Sequence, residues 1–525
     1  MPGPVSNLDA LSTTELKGLV ERLLSEVAAL KETVAAQREE IARLKGLKGP
    51  PRLRPSGMES AATAASPGRR RGRKGAKTAK LVVDEERVIR AAVPPGSRFK
   101  GYQSVVVQDL VLRPHVTRFR RERWLTPDGR PVIAPRPPEI NGHFGPALQR
   151  FVLMQYHQGQ VTVPRLVQQL RAIGIVISKR QLVRLLIAGQ ERFVAEAGAV
   201  LRAGLETARW ITVDDTGARH GAANGVCTQI GDARFTFFAT TASKSRLNFL
   251  ELLRAGHGDY VVNDAAVEYM RRRALPDHAI ARLTEHPRKR FVSARTWHRH
   301  LRRLGLHKLQ HGLEPVRLAS EGALWGSIVA HGLLPDTVIV SDEAGQFDVG
   351  RHALCWVHAE RLVHKLDTFT AAQHAAQQRV RLRIRWLYAD LKAYCRDPTP
   401  ARRAALRRRF DRRFGQRTGF ARLDKLLARL RGKKADLLQV LQRPEVPLHT
   451  NGSENDIRCH VTKRKVSGGT RSDAGRDCRD AFLGLMKTCA KLGVSFWSYL
   501  GDRLGIADRP IDYLPDLVRA RTVPT

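Results

Sequence analysis

Three acid-bearing segments stand out in an otherwise strongly basic chain: VDDT at 213–216, SDEAGQF at 341–347 and LHTNGSENDIR at 448–458. In the first two, an aspartate closes a β-branched run (WITVDD and TVIVSD), a position where a strand leaves the core and presents a carboxylate. Carboxylates gathered from distant positions suit phosphodiester chemistry. Mg²⁺ is a hard cation that takes a few carboxylates plus water and substrate phosphate, and two such ions about 3.5–4 Å apart stabilise the attacking and leaving oxygens of an in-line displacement. The residues leave choices open. Asp214 and Asp215 are neighbours, and successive strand residues point to opposite faces, so one alone can meet a shared metal. Asp264, in YVVNDAAVEYM, is a rival to Asp342, and Asp456 is a rival to Glu454. A single acid is more often a helix cap or a surface ion pair, so the reading rests on the ordered set.

The elements that must position these acids follow from periodicity. Trp210–Ser245 contains three β-rich runs separated by glycine-containing turns, which predicts a three-stranded meander. SRLNFLELLRAG follows as a helix with Leu247, Leu250, Leu252 and Leu253 on its apolar side. TVIVSDEAGQF predicts a further buried strand, and HALCWVHAERLVHKL a helix after it. Three antiparallel strands, a helix and another strand, with acids ending the first and fourth, is the element order of a ribonuclease-H-like α/β domain. Asn451 is a good N-cap, so Glu454 is expected in the first turn of a helix with Ile457 and Val461 inward. The long arginine-rich stretch before it, about 366–445, predicts a helical insertion, and a second insertion occupies about 255–335.

Bulk composition points the same way. The 525 residues are too many for one core. Lysine plus arginine number 91 against 50 acids, a formal charge of +41, which demands a polyanionic partner. No run approaches the about 18 apolar residues of a membrane span, and no signal-peptide pattern opens the chain, so a soluble protein in the cytoplasm, with no membrane partner, is expected. The six cysteines are scattered and expected to be reduced.

From Leu16 to Leu44 a heptad places Val20, Val27, Val34 and Ile41 at one seam position and Leu16, Leu23, Leu30, Gln37 and Leu44 at the other. That pattern favours a parallel two-stranded coil over residues 1–47, with Glu26 facing Lys31 and Glu40 facing Lys45 of a second copy, hence a homodimer or higher multimer. Residues 48–80, with RRRGRKGAK, read as a basic flexible linker. Residues 81–140 read as a small β-containing module, with SVVVQDLVLR as a strand. Residues 141–200 read as helix-turn-helix-like, with Leu166 and Leu170 inward and Ser178 capping the second helix. Lys179, Arg180, Gln181 and Arg184 then lie on its polar side, where groove or phosphate contacts to double-stranded DNA are made. The core is expected over 205–365 and, after the insertion, over 446–525.

The three segments together resemble the transposases of the insertion sequence 66 family. VDDT resembles the family's Val/Ala-Asp-Glu-Thr block. SDEAGQF is trailed by CWVHAER, which resembles its Cys-Trp-x-His motif, and LHTNGSENDIR with KRKVSGGTRSDAG resembles its glutamate block and basic tail. The resemblance covers most of the chain and implies Asp214, Asp342 and Glu454 as catalytic and metal-binding residues, with two Mg²⁺ or Mn²⁺ ions. It also implies hydrolysis at DNA element ends followed by strand transfer into target DNA, a nucleoid-associated prokaryotic setting and accessory proteins encoded by the element. His358, Arg361, Lys463, Arg464 and Lys465 are expected at substrate phosphates. Family members often carry a cysteine-rich zinc motif before the helix-turn-helix; no cysteine precedes Cys227 here, so no N-terminal zinc site is expected. Cys355-x-x-His358 and Cys459-His460 are short of the four ligands zinc requires, and a packed Cys-Trp pair is expected at 355–356. The alternatives from other classes are a nuclease without strand transfer and a non-catalytic DNA-binding regulator.

Overall fold

The computed structural model describes residues 82–135, 142–308, 315–507 and 509–521, together with six isolated positions between Gly18 and Gln37. The expected coil over 1–47, apart from those six positions, and the expected linker over 48–80 lie outside the described residues. The chain divides into two compact units. One holds the described residues of Met1–Ala62 and Ala353–His449, the other those of Thr63–His352 and Thr450–Thr525.

The larger unit opens with a stretch that differs from expectation. SVVVQDLVLR forms no strand, and Val105, Val107, Leu110 and Val111 are each at least three-quarters exposed. A β-branched run needs a partner strand and a surface to cover, and none is supplied here. The β content of residues 82–135 is a short antiparallel hairpin, β1 (Arg123–Leu125) and β2 (Pro131–Ile133).

Four helices follow: α1 (Pro146–His157), α2 (Val163–Ala172), α3 (Lys179–Ile187) and α4 (Glu191–Thr207). Leu166 and Leu170 of α2 and Leu182 of α3 are fully buried between them. Ser178 starts α3 with a reciprocal cap: its hydroxyl accepts from the Gln181 backbone, and its own N–H donates to the Gln181 amide oxygen. That bond engages the Gln181 amide oxygen, and the partly exposed side chain keeps its NH2 donor. Helix α4 lies on the sheet with Phe193, Val200, Leu201 and Leu205 inward. At Gly204 the Phe235 ring approaches so closely that a Cβ would sit 2.4 Å from it.

The meander appears as expected: β3 (Trp210–His220), β4 (Ala223–Gly231) and β5 (Thr236–Thr241), antiparallel neighbours in one sheet. Helix α5 (Arg246–Leu253) buries Phe249, Leu250 and Leu253. The 255–335 insertion is mainly helical. It consists of β6 (Tyr260–Val261), α6 (Asp264–Arg272), α7 (Asp277–Glu285), β7 (Arg290–Phe291), α8 (Ala294–Arg303) and α9 (Pro315–Ala330). Trp297 is its anchor, fully buried, stacked 5.6 Å from Tyr260, its indole N–H donating to the Ser320 hydroxyl. Strand β8 (Val338–Ser341) then pairs parallel to β3, and β9 (Arg351–Leu354) completes the five-stranded order β5-β4-β3-β8-β9. The expected helix at HALCWVHAERLVHKL therefore begins later, as α10 (Trp356–His364). The four residues of β9 are too few for periodicity to separate strand from helix, and an available sheet edge decides it.

In the smaller unit α10 is followed by α11 (Ala371–Arg396), α12 (Pro400–Phe414), α13 (Ala421–Gly432) and a short α14 (Lys434–Leu437). This is the expected helical insertion, with its own core of Trp356, Ile384, Leu387, Leu391, Phe410, Leu423 and Leu427. The chain returns to the larger unit as α15 (Asn451–Ser467), α16 (Asp473–Leu492), α17 (Phe496–Arg503) and α18 (Leu514–Ala520). Buried ion pairs fasten these helices. Arg503 donates to both oxygens of Glu196 on α4, and Tyr499 donates to the same carboxylate.

Candidate active site

Strand β3 sorts its residues by parity. Ile211 and Val213 enter the core, whereas the hydroxyl of Thr212 meets Ser453 of α15 at 2.5 Å. Asp214 lies two residues beyond Thr212 and so projects on the same face, the one α15 covers. Helix α15 begins at Asn451 itself, so its cap is Thr450, one residue before the expected Asn451. Glu454 is therefore in its first turn, directly after Ser453, with its N–H bonded to the Thr450 carbonyl.

The second acid arrives through the parallel ladder. Trp210 pairs with Val338, Ile211 with Ile339 and Thr212 with Val340. The ladder ends there, and Asp214 and Asp342 each lie two residues beyond its last pair, Asp342 just past the end of β8. Asp342 Oδ1 accepts the Ala344 N–H at 3.0 Å, turning the chain sharply away from β8. Asp214, Asp342 and Glu454 are all half-buried. Two strand ends and one helix start thus bring oxygen donors to one end of the sheet, within a single unit.

The rival acids are otherwise engaged. Asp215, on the opposite parity, holds Lys244 at 2.9 Å and the Gln346 amide at 2.6 Å, tying β3 to the loop after Asp342. Asp264 is exposed in the first turn of α6, where it offsets the helix dipole. Asp456 is buried, accepting from Thr236 at 2.7 Å and Lys491 at 2.6 Å, so it fastens α15 to β5 and α16.

Among the expected basic contacts, Lys179, Arg180 and Arg184 are exposed on α3, and Lys465 is exposed on α15. Arg464 is half-buried and reaches Gly217 of β3, where an added Cβ would lie 3.1 Å from its guanidinium. His358 and Arg361 are half-buried on α10 of the smaller unit. Lys463 departs from expectation. Its side chain is fully buried, donating to the Tyr156 carbonyl with the ammonium 3.2 Å from the Tyr156 ring centre, so no phosphate can reach it. Burial, with Arg479 nearby, lowers its pKa to about 7.

That shift carries a prediction. A lysine whose folded pKa lies below its unfolded value costs stability wherever the unfolded chain holds the extra proton. Stability should therefore rise with pH between about 7 and the ordinary lysine value near 10.4, by up to about 1.4 kcal/mol per pH unit. Chemical denaturation of wild type and Lys463→Met at pH 7, 8 and 9 should show the gap between them closing as pH rises; a constant gap contradicts the assignment.

Sequence reasoning passed over Gln229. It faces Asp214 across the antiparallel ladder, fully buried, with no hydrogen-bond partner for either amide atom. A glutamine within a β-rich run gives no warning of this; only the register does. Cys355 and Trp356 are packed as expected, the indole donating to the Leu437 carbonyl at 2.8 Å.

Residues 346–477 match the family described as Transposase IS66 family. The chain is also 53% identical over 322 residues to an uncharacterized protein, y4jO, of Sinorhizobium fredii (strain NBRC 101917 / NGR234), an alignment spanning 61% of this chain and all of that relative. The chain belongs to the IS66 transposase family. The family match takes in His358, Arg361 and Glu454 and begins just after Asp342. Membership makes this a DNA-binding protein with a transposase role. No solved structure matches the chain. Among the described residues, no helix is long and apolar enough to cross a membrane.

Proposed function

We propose that the chain cuts DNA at the ends of an insertion element and joins the freed 3′-hydroxyl to target DNA, with Asp214, Asp342 and Glu454 as its catalytic residues. The observation that supports it most is the β3–β8 register: Asp214 and Asp342 each follow its last pair by two residues, and Ser453, the neighbour of Glu454, touches Thr212 in that pair. In this reading the sheet is a ribonuclease-H-like core interrupted by two helical insertions. The three acids offer hard oxygen donors without a thiolate or imidazole among them, which suits Mg²⁺ or Mn²⁺. Two such ions, when bound, would activate the attacking oxygen and stabilise the leaving one.

The chain's own residues supply the rest. Asp215, braced by Lys244 and Gln346, fixes the loop that aims Asp342. The start of α15 contributes its positive dipole end near the reacting phosphate. Arg464, Lys465, His358 and Arg361 are assigned to the DNA backbone, and α3 to duplex recognition in a helix-turn-helix mode. Val20, Leu23 and Val27 are about half exposed in the single chain, as a coiled-coil seam that pairs with a second copy requires. Nucleoid association and element-encoded accessory proteins belong to the same reading.

The test is a reaction of end-labelled element DNA with a target plasmid and Mg²⁺, scored for nicked ends and joined products. Both products are expected. Nicks without joining would favour a nuclease, and neither product, with DNA binding intact, would favour a regulator. Separately, Arg180→Ala with Arg184→Ala should weaken DNA binding and reduce the slope of log affinity against log salt by about 2. An unchanged slope would remove α3 from the interface.

A further inference from the structure

One cluster of side chains lies outside the carboxylate trio and has no role in the chemistry above. Cys227 of β4, His460 of α15 and Asp480 of α16 are all buried, and a ligand atom of each lies within 4.8 Å of the others. Their surroundings are apolar: Ala218, Phe238, Ile457 and Leu483 pack about Cys227. Buried polar atoms are nearly always hydrogen-bonded, yet here both ring nitrogens of His460 and Oδ1 of Asp480 lack a partner. The gap between His460 Nε2 and Asp480 Oδ1 is 3.5 Å, long for a direct bond. The other Asp480 oxygen is fixed, accepting the Thr240 N–H at 2.7 Å. A soft sulfur, an imidazole and a carboxylate oxygen thus converge, with the unmet atoms aimed at one another.

We propose that Cys227, His460 and Asp480 bind a single zinc ion that is structural and separate from the catalytic ions. Each residue type is an ordinary zinc ligand, and the sulfur and nitrogen donors select against Mg²⁺ and Ca²⁺. A thiolate, a carboxylate and a neutral imidazole around Zn²⁺ sum to zero charge, which a buried apolar site tolerates. A fourth tetrahedral position is left for water or for Cys459, whose side chain packs against the same cluster.

The location gives the ion a purpose. Cys227 is paired with Thr216, two residues along β3 from Asp214, and His460 is six residues along α15 from Glu454. The zinc would clamp the helix bearing the glutamate to the sheet bearing the aspartates. Sequence inspection sees Cys459-His460 as a pair; the structure instead unites His460 with residues far away in the chain.

The test is elemental analysis of the full-length protein after growth with zinc and exhaustive dialysis. About one zinc per chain is expected, unchanged in Asp214→Asn and reduced at least about tenfold in Cys227→Ser and His460→Gln. Should those variants fail to fold, wild type stripped by chelator and reloaded with Co²⁺ answers alone. A thiolate-to-cobalt band in the near ultraviolet and intense tetrahedral visible bands are expected, together with a melting midpoint recovered by roughly 5 °C or more over the stripped protein. Zinc below about a tenth of an equivalent with no cobalt–thiolate band would overturn the proposal. So would zinc retained by Cys227→Ser and lost from Asp214→Asn, which would place the ion on the carboxylate trio.

Discussion

Asparagine in place of Asp214 will lower both end cleavage and strand joining by a factor on the order of 10³ or more while leaving the fold intact. The amide preserves the size of the side chain, and its carbonyl oxygen can still accept the Asp215 N–H that the native carboxylate accepts at 2.8 Å. What it cannot supply is the negative charge that holds a divalent ion. Asp342→Asn and Glu454→Gln should behave alike, because each removes one hard donor from the same set. Controls come from the same structure. Asp215→Asn keeps one of the two acceptor oxygens that Lys244 and Gln346 share and loses the other with the ion pair, and should cost no more than about tenfold. Asp456→Asn should show itself in melting temperature, since it deprives Lys491 of a buried partner. Cleavage rates and thermal melts on these five variants separate catalytic acids from structural ones. Equal loss of activity at Asp214 and Asp215 would contradict the assignment by strand parity.

The second large effect is on stability. Arg234 and Asp232 form a pair with side chains 3% and 0% exposed, 2.7 Å apart, at the β4–β5 turn. The guanidinium also donates to the Thr207 hydroxyl of α4 and to the Val518 carbonyl of α18. It therefore joins the sheet, the helix beneath it and the C-terminal helix at one point. Arg234→Met leaves the Asp232 carboxylate buried and uncompensated, and unfolding free energy should fall by about 3–5 kcal/mol. Removing both charges, as Asp232→Leu with Arg234→Met, should recover much of that loss, because a buried pair contributes little over an apolar replacement. A denaturation midpoint that moves no further for the single variant than for the double would contradict this.

How much the sequence discloses depends on the range of the interaction. The meander, the β8 strand and the Ser178 cap are set by residues within a few positions of one another, and they appear where periodicity and capping chemistry put them. The strand β9 is hidden because four residues, Arg351–Leu354, are too few to show a period, and the sheet edge they meet decides their conformation. SVVVQDLVLR has strand composition but no surface to cover, so it forms no strand and stays exposed. Lys463 sits in a basic run and looks like a phosphate contact. Its burial is dictated by Tyr156, some three hundred positions away. The acids stand out as a set because two of them close β-branched runs and the third follows a helix-capping segment, in a chain that is otherwise basic. What discriminates Asp214 from Asp215 and Glu454 from Asp456 is parity and partners, which the linear chain suggests and the fold makes explicit. Gln229 and the Cys227–His460–Asp480 cluster carry no local signature at all.

Iron-directed backbone cleavage addresses the meeting of the three acids most directly. Fe²⁺ loaded in place of Mg²⁺ on the full-length protein, with ascorbate and peroxide, cuts the polypeptide close to wherever the ion is held. Cuts beside residues 214, 342 and 454 together, suppressed by excess Mg²⁺ and absent from Asp214→Asn, are expected. Cuts confined to one of those positions, or a pattern unchanged by Asp214→Asn, would mean that the carboxylates do not share an ion.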